Sequence, residues 1–212
     1  RLGRDNARSA HTMQVFAAIL VAQGRYQEAS VMGRSAISAF ERAGVEPEAR
    51  GLAEARRTLG STLVLQGQWA DALNRYDEMR SGLATDPGSV ALLGRGDAYW
   101  GMALVKSGRA AEAVQMLASR LAEDRKILGE SHPLVAFNRG VLGMALAGTG
   151  DKQRALAEFN VAVVALLDSG VLAGARSAAQ TQLLRYILEG YIELLIEIRD
   201  SDLDRGQQVN AL

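Results

Sequence analysis

Four short stretches fix what this chain can fold into. They are Gly24-Arg25-Tyr26-Gln27-Glu28-Ala29, Gly67-Gln68-Trp69-Ala70-Asp71-Ala72, Gly108-Arg109-Ala110-Ala111-Glu112-Ala113 and Gly150-Asp151-Lys152-Gln153-Arg154-Ala155. Their glycines stand 43, 41 and 42 residues apart. A fixed period of this size is the signature of a stacked repeat, in which each unit hides its apolar face only against its neighbours. Each glycine separates two runs of helical apolar spacing, so each marks a tight turn inside a helical hairpin. Glycine reaches the left-handed backbone region without a steric penalty and so suits a helix C-terminus.

The pattern around the turn is equally regular. Five residues after each glycine stands Ala29, Ala72, Ala113 or Ala155. Seven before it the residue is small (Ala17, Gly60, Gly101, Gly143), and one earlier it is large and apolar (Phe16, Leu59, Trp100, Leu142). Four before it is always leucine: Leu20, Leu63, Leu104, Leu146. Large knobs and small holes therefore recur on facing helices, as close packing requires.

These residues resemble the tetratricopeptide repeat (TPR), with its Leu-Gly pair, later alanine and aromatic four residues beyond. Leu59-Gly60, Ala72 and Tyr76 carry the likeness, as do Leu142-Gly143, Ala155 and Phe159. Met13, Arg56, Asp97 and Arg139 stand where that family usually has tryptophan. The long period, with Leu128-Gly129-Glu130-Ser131-His132-Pro133 between repeats, is similar to the kinesin-light-chain type. That type's asparagine ladder is replaced by Gln14, Arg57, Ala98 and Gly140. The resemblance implies an all-α, right-handed α-solenoid of about four hairpins whose business is holding other proteins.

Helices are expected over 5–22, 26–43, 48–65, 69–83, 88–106, 110–128, 133–148 and 152–169, giving repeats of about 5–43, 48–83, 88–128 and 133–169. Pro47, Pro87 and Pro133 all fall between repeats, where a residue without an N–H suits a helix entry. His132, just before Pro133, is placed to cap a helix. Residues 172–199 form one long helix with an apolar stripe of Leu183, Leu184, Ile187, Leu188, Tyr191, Ile192, Leu195 and Ile198. It is expected to cap the last hairpin, and its last turns to dock a following domain. Residues 200–212 are polar and form a C-terminal segment or linker.

In such a superhelix the first helix of each hairpin lines the concave face. The rows 13 and 10 residues before each glycine read His11, Glu54, Arg95, Phe137 and Gln14, Arg57, Ala98, Gly140. The rows 6 and 3 before it read Ala18, Ser61, Met102, Met144 and Val21, Val64, Val105, Ala147. At this 3-4-3 spacing they share one face. The expected groove is apolar inside, with adaptable methionines and an arginine-bearing rim. Three occupants fit it: a partner's peptide segment, neighbouring helices of the array, or the chain's own C-terminal segment.

Other chemistry finds no footing. Lys plus Arg is 24 and Asp plus Glu is 24, so nothing draws the chain as a whole to nucleic acid or an anionic membrane. There is no cysteine, and the two histidines, His11 and His132, lie in different repeats. No metal, cofactor or catalytic set is expected. Gly148-Thr149-Gly150-Asp151-Lys152 lacks the spacing and the preceding strand of a phosphate loop and coincides with a hairpin turn. Arg50, Arg56 and Arg57 are expected to be solvated or paired within the chain, and Trp69 and Trp100 to pack in the core. No apolar run approaches a membrane span. A cytoplasmic location is favoured, with a periplasmic one open if a signal precedes Arg1.

The leading reading is a non-enzymatic scaffold that binds a peptide or a neighbouring domain by its concave face. The stretch Tyr191 to Asp200, followed by Arg205 to Leu212, resembles the junction of bacterial TPR–CHAT proteins. That resemblance implies a regulatory arm for a caspase-like peptidase. The alternative is a sensing domain of a bacterial transcription regulator.

Overall fold

In the computed structural model, residues 2–46, 49–168 and 177–210 are described. Pro47, with its expected role at a helix entry, and the start of the expected 172–199 helix lie outside them. The described residues form ten helices and no strand. Four antiparallel hairpins stack in chain order. The first pairs α1 (Leu2–Ala22) with α2 (Tyr26–Arg42), and the second α3 (Arg50–Leu65) with α4 (Trp69–Leu83). The third sets α5 (Pro87–Leu93) and α6 (Ala98–Lys106) against α7 (Ala110–Leu128), and the fourth α8 (Pro133–Gly148) against α9 (Lys152–Asp168). The long α10 (Ala178–Asn210) follows. It continues as helix through residues expected to be a polar linker.

The four hairpin glycines do what the spacing demands. Gly24, Gly67, Gly108 and Gly150 have φ between +73° and +84°. After each, the next backbone N–H (of Arg25, Gln68, Arg109 or Asp151) donates to the carbonyl of the recurring leucine, at 2.9, 2.9, 2.8 and 3.0 Å. This is the six-to-one bond of a Schellman cap, which satisfies an otherwise orphaned carbonyl and reverses the chain. Between repeats, Asp86 Oδ1 accepts from Gly88 N ahead of helix α5, and His132 Nδ1 accepts from Leu134 N at 3.2 Å ahead of α8. Pro87 and Pro133 each follow the cap, in the first turn.

The knobs and holes turn out to serve two interfaces. The small residue seven before each turn seats a knob from its own hairpin partner. A Cβ on Gly60, Gly101 or Gly143 would lie 2.9, 2.7 or 3.0 Å from Tyr76, Leu117 or Phe159. The large residue one earlier packs on the preceding repeat instead. Leu59 lies 3.3 Å from where a Gly33 Cβ would be, and Trp100 stacks on Tyr76 at 5.0 Å between centroids and 6° between planes. Phe16, in the first described hairpin, is 44 % exposed, unlike Leu59, Trp100 and Leu142.

Two features depart from the expected helices. The 88–106 helix is broken at residues 94–97. Gly96 has φ +76°, and a Cβ there would fall 2.1 Å from Met116 Sδ. Asp97 then caps a fresh start, its Oδ1 accepting from Tyr99 N and Trp100 N. Second, α10 does more than cover the last hairpin. It runs across the concave side from one end of the array to the other. Ala178 abuts the Gly24 turn, and Tyr186 meets Trp69 edge-on at 5.5 Å. Ile187 fills the space at Gly140, and Gly190 sits over Met144. Tyr191 lies on Phe159, and Glu197 pairs with Lys152 at 2.8 Å beside the fourth turn.

In two repeats arginine stands where a tetratricopeptide repeat usually has tryptophan; Arg139 is buried, Arg56 is mostly so, and each is paired. Arg139 bridges Glu130 (2.7 Å) and Glu158 (3.3 Å), while Arg56 lies between Glu41 and Glu78. Each thus ties the preceding connection or helix to its own hairpin. A charge this deep is retained only with such partners. Arg50 and Arg57 of the same local cluster also pair within the chain, with Glu54 and Asp97.

Candidate functional site

With α10 laid along one side, the concave face is reduced to a partly open cavity of about 540 Å³. Every hairpin's first helix contributes to it. From α1 come Gln14, Ala18 and Val21; from α3, Arg50, Glu54, Arg57, Thr58 and Ser61; from α5 and α6, Leu93, Asp97, Ala98 and Tyr99. Leu134, Phe137 and Asn138 come from α8, Arg120 from α7, and Gln180 and Leu183 from α10.

Eight of the sixteen residues in the four rows line this space: Gln14, Ala18, Val21, Glu54, Arg57, Ser61, Ala98 and Phe137. The structure places the other eight elsewhere, with Gly140 against Ile187 and Ala147 half-buried against the core. Val64 and Met102 are fully buried, Met144 lies beneath Gly190 of α10, and Val105 is half-buried against the core. Beyond Ala18, Val21 and Ser61, the inner rows are therefore packed interior and not an adaptable open floor. A charge at Met102 would damage the fold before it could report on binding. Arg95 sits in the break between α5 and α6 and turns away to pair with Glu123 at 2.6 Å. His11 is exposed on α1, beyond the cavity wall.

The polar wall is organised in pairs. Arg50 Nε donates to Glu54 at 2.7 Å, and Arg57 Nε to Asp97 Oδ2 at 3.3 Å. Arg120 Nε donates to Asp124 Oδ2 at 2.7 Å, and that buried oxygen also accepts from Asn138 Nδ2 at 3.0 Å. Burial pushes the Tyr99 phenol well above its ordinary range, and the neighbouring Asp97 charge adds to this. Tyr99 therefore stays protonated at neutral pH and can donate a hydrogen bond. One group is left over. The Gln14 side chain is 9 % exposed, and its Oε1 is buried without a hydrogen-bond partner. An orphaned buried acceptor costs about 1–3 kcal/mol, which a donor brought by a ligand would relieve.

Residues beyond the four expected rows complete the site. Arg120 belongs to a hairpin's second helix, and Gln180 and Leu183 come from α10. The Arg120–Asp124 spacing was a visible i,i+4 signal. The arrival of α10 agrees with one of the expected occupants, the chain's own C-terminal segment, but the row spacing does not single out Gln180 and Leu183.

No family model and no curated protein matches the chain. Solved structures do. A Podosopora anserina putative kinesin light chain, described as having nearly identical TPR-like repeats, superposes with a TM-score of 0.52 at 17 % identity, covering 76 % of each chain. A single-substitution variant of that protein superposes with a TM-score of 0.54 at the same identity and coverage. At this identity the likeness speaks for architecture, and it agrees with the glycine period and the hairpin packing. The chain has the fold of a TPR-like α-solenoid.

Proposed function

We propose that the chain is a non-catalytic interaction module whose concave cavity receives a short protein segment. The observation that carries this is the unpaired Gln14 amide oxygen in the wall of a cavity fed by all four hairpins. About 540 Å³ is within the roughly 300–1,000 Å³ of ligand sites. The wall of Ala18, Val21, Leu134, Phe137 and Leu183 suits an apolar side chain, and Gln14 suits a backbone N–H. Arg57 at the mouth, half-exposed, supports a weaker preference for an acidic neighbour. TPR-like repeats are at home in this role, and the mixed lining favours a protein segment over a purely apolar ligand. The likeness of residues 191–212 to a junction before a caspase-like peptidase rests on sequence alone.

The test is peptide selection. Random peptides displayed on phage are panned against the chain, and recovered binders are measured by calorimetry. Ala18→Trp fills the cavity from an exposed helix position, so it should leave the melting midpoint unchanged and weaken binding tenfold or more. Arg57→Ala should weaken it about two- to fivefold, and less at high salt. Peptides that bind Ala18→Trp as well as the parent chain would move the site elsewhere.

A further inference from the structure

The two ends of the array carry opposite characters. At the first hairpin, Val15, Phe16 and Ile19 of α1 are 43, 44 and 48 % exposed. By repeat register Phe16 stands where Leu59 and Trp100 pack on a neighbouring helix. Met13, one turn earlier, opens into a second concavity of about 370 Å³ with Arg34, Ser35, Ser38 and Arg42 of α2. Among the described residues, every arginine from Arg50 to Arg199 has an ion-pair partner. Arg8, Arg34 and Arg42 have none and are exposed. Residues 1–42 hold six arginines against three carboxylates.

At the other end, Ile192, Leu195 and Ile196 of α10 form an i, i+3, i+4 stripe that is 55, 42 and 46 % exposed. Residues 193–204 hold five carboxylates against one arginine. Exposed Glu193, within the stripe, has no ion-pair partner. The inner side of α10 imitates a further repeat. Tyr191 lies on Phe159 at 5.2 Å and donates to Asn160 at 2.6 Å, much as Trp100 lies on Tyr76. In that register α10 holds the place of a next first helix, and its outer face is the side on which every hairpin lays a second helix.

We infer that the exposed stripe of α10 docks the basic, apolar end of α1 and α2 from a second copy of this chain. An apolar face meets an apolar face, and arginines meet carboxylates, within a chain of zero net charge. The contact is heterologous, so each copy keeps one end of each kind free for the next and association is open-ended.

Sedimentation velocity from about 10 µM to about 1 mM, the range of weak contacts, reads this out. The chain should grow in mass with concentration, more at about 50 mM than at about 300 mM salt. Phe16→Ser with Ile19→Ser breaks one end; Ile192→Ser with Ile196→Ser breaks the other. All four side chains are exposed, so circular dichroism and the melting midpoint should be unchanged. Each double variant alone should be monomeric, with self-association at least about tenfold weaker. An equimolar mixture should form a one-to-one pair that grows no further, because each supplies the end the other lacks. A parent chain that stays monomeric throughout overturns the proposal, as it would if each end belonged to a different neighbour. A variant of one end that still self-associates, or a mixture that does not pair, overturns it equally.

Discussion

Tyr76→Ala should cost the chain about 3–5 kcal/mol, the usual loss when a large buried aromatic is truncated. Tyr76 is fully buried, caps the hole at Gly60 inside its own hairpin, and stacks flat on Trp100 of the next repeat. One side chain therefore holds two interfaces, and a repeat array is stabilised mainly through such neighbour contacts. Tyr76→Phe should behave quite differently. The Tyr76 hydroxyl is buried with no hydrogen-bond partner, and desolvation drives its pKa far upward. Removing it leaves both contacts intact and deletes an unsatisfied group, so stability should hold within about 0.5 kcal/mol or rise. Urea unfolding of the two variants checks the contrast. If Tyr76→Phe fell nearly as far as Tyr76→Ala, the hydroxyl and not the stack would be the structural element.

Gly140→Leu should cost about 1–3 kcal/mol by overpacking. Gly140 lies on α8, and a Cβ there would stand 2.8 Å from Ile187 Cγ2 on α10. Ile187 is fully buried and has nowhere to retreat. Exchanging knob and hole supplies the control. Gly140→Leu with Ile187→Ala restores the volume, so the double variant should be more stable than the sum of the two single losses implies. Strict additivity would mean that the two positions do not touch.

These two residues also show how far a sequence of this kind can be read. Tyr76 was legible: the glycine period places it, and its spacing from Gly67 matches Phe159 from Gly150. What local spacing withheld was the partner. The large residue eight before each turn serves the preceding repeat, a contact between residues such as Gly33 and Leu59 that belong to different periods. Phe16 shows the same rule from the other side: it holds the same register, packs on no earlier hairpin of this sequence, and is 44 % exposed. The break at residues 94–97 carried its own signal in Gly94, Gly96 and Asp97, but the helical apolar pattern on either side outweighed it.

The concave face was half legible. Its outer rows put Gln14, Arg57 and Phe137 on one face, and all three line the cavity, because helical spacing fixes which residues share a face. Of the inner rows, Ala18, Val21 and Ser61 line the cavity while Val64, Met102 and Met144 are buried, because openness is a property of the whole chain. Gly140 and Gly190, on two helices distant in sequence, are small because those helices cross there. A glycine on a face otherwise expected to bind a partner is itself a hint that a helix approaches closely. Met144 lies beneath Gly190 of α10, Met102 and Val64 are fully buried, and the site is a cavity and not an open groove.

The crossing of α10 over the concave side therefore decides both the fold's closure and the shape of the site, and a single cross-link tests it. The chain has no cysteine, so an introduced pair reports without ambiguity. A Cβ on Gly190 would lie 3.0 Å from Met144 Cγ, close enough for the roughly 3.5–4.5 Å between Cβ atoms that a disulfide needs. Met144→Cys with Gly190→Cys, mildly oxidised at low protein concentration, should close an intramolecular disulfide. Intact-mass spectrometry should then show a monomer lighter by two hydrogens, with the linked peptides recovered after digestion. A pair that stays reduced, or that links only between molecules, would mean that α10 does not cross the array and that the groove stands open.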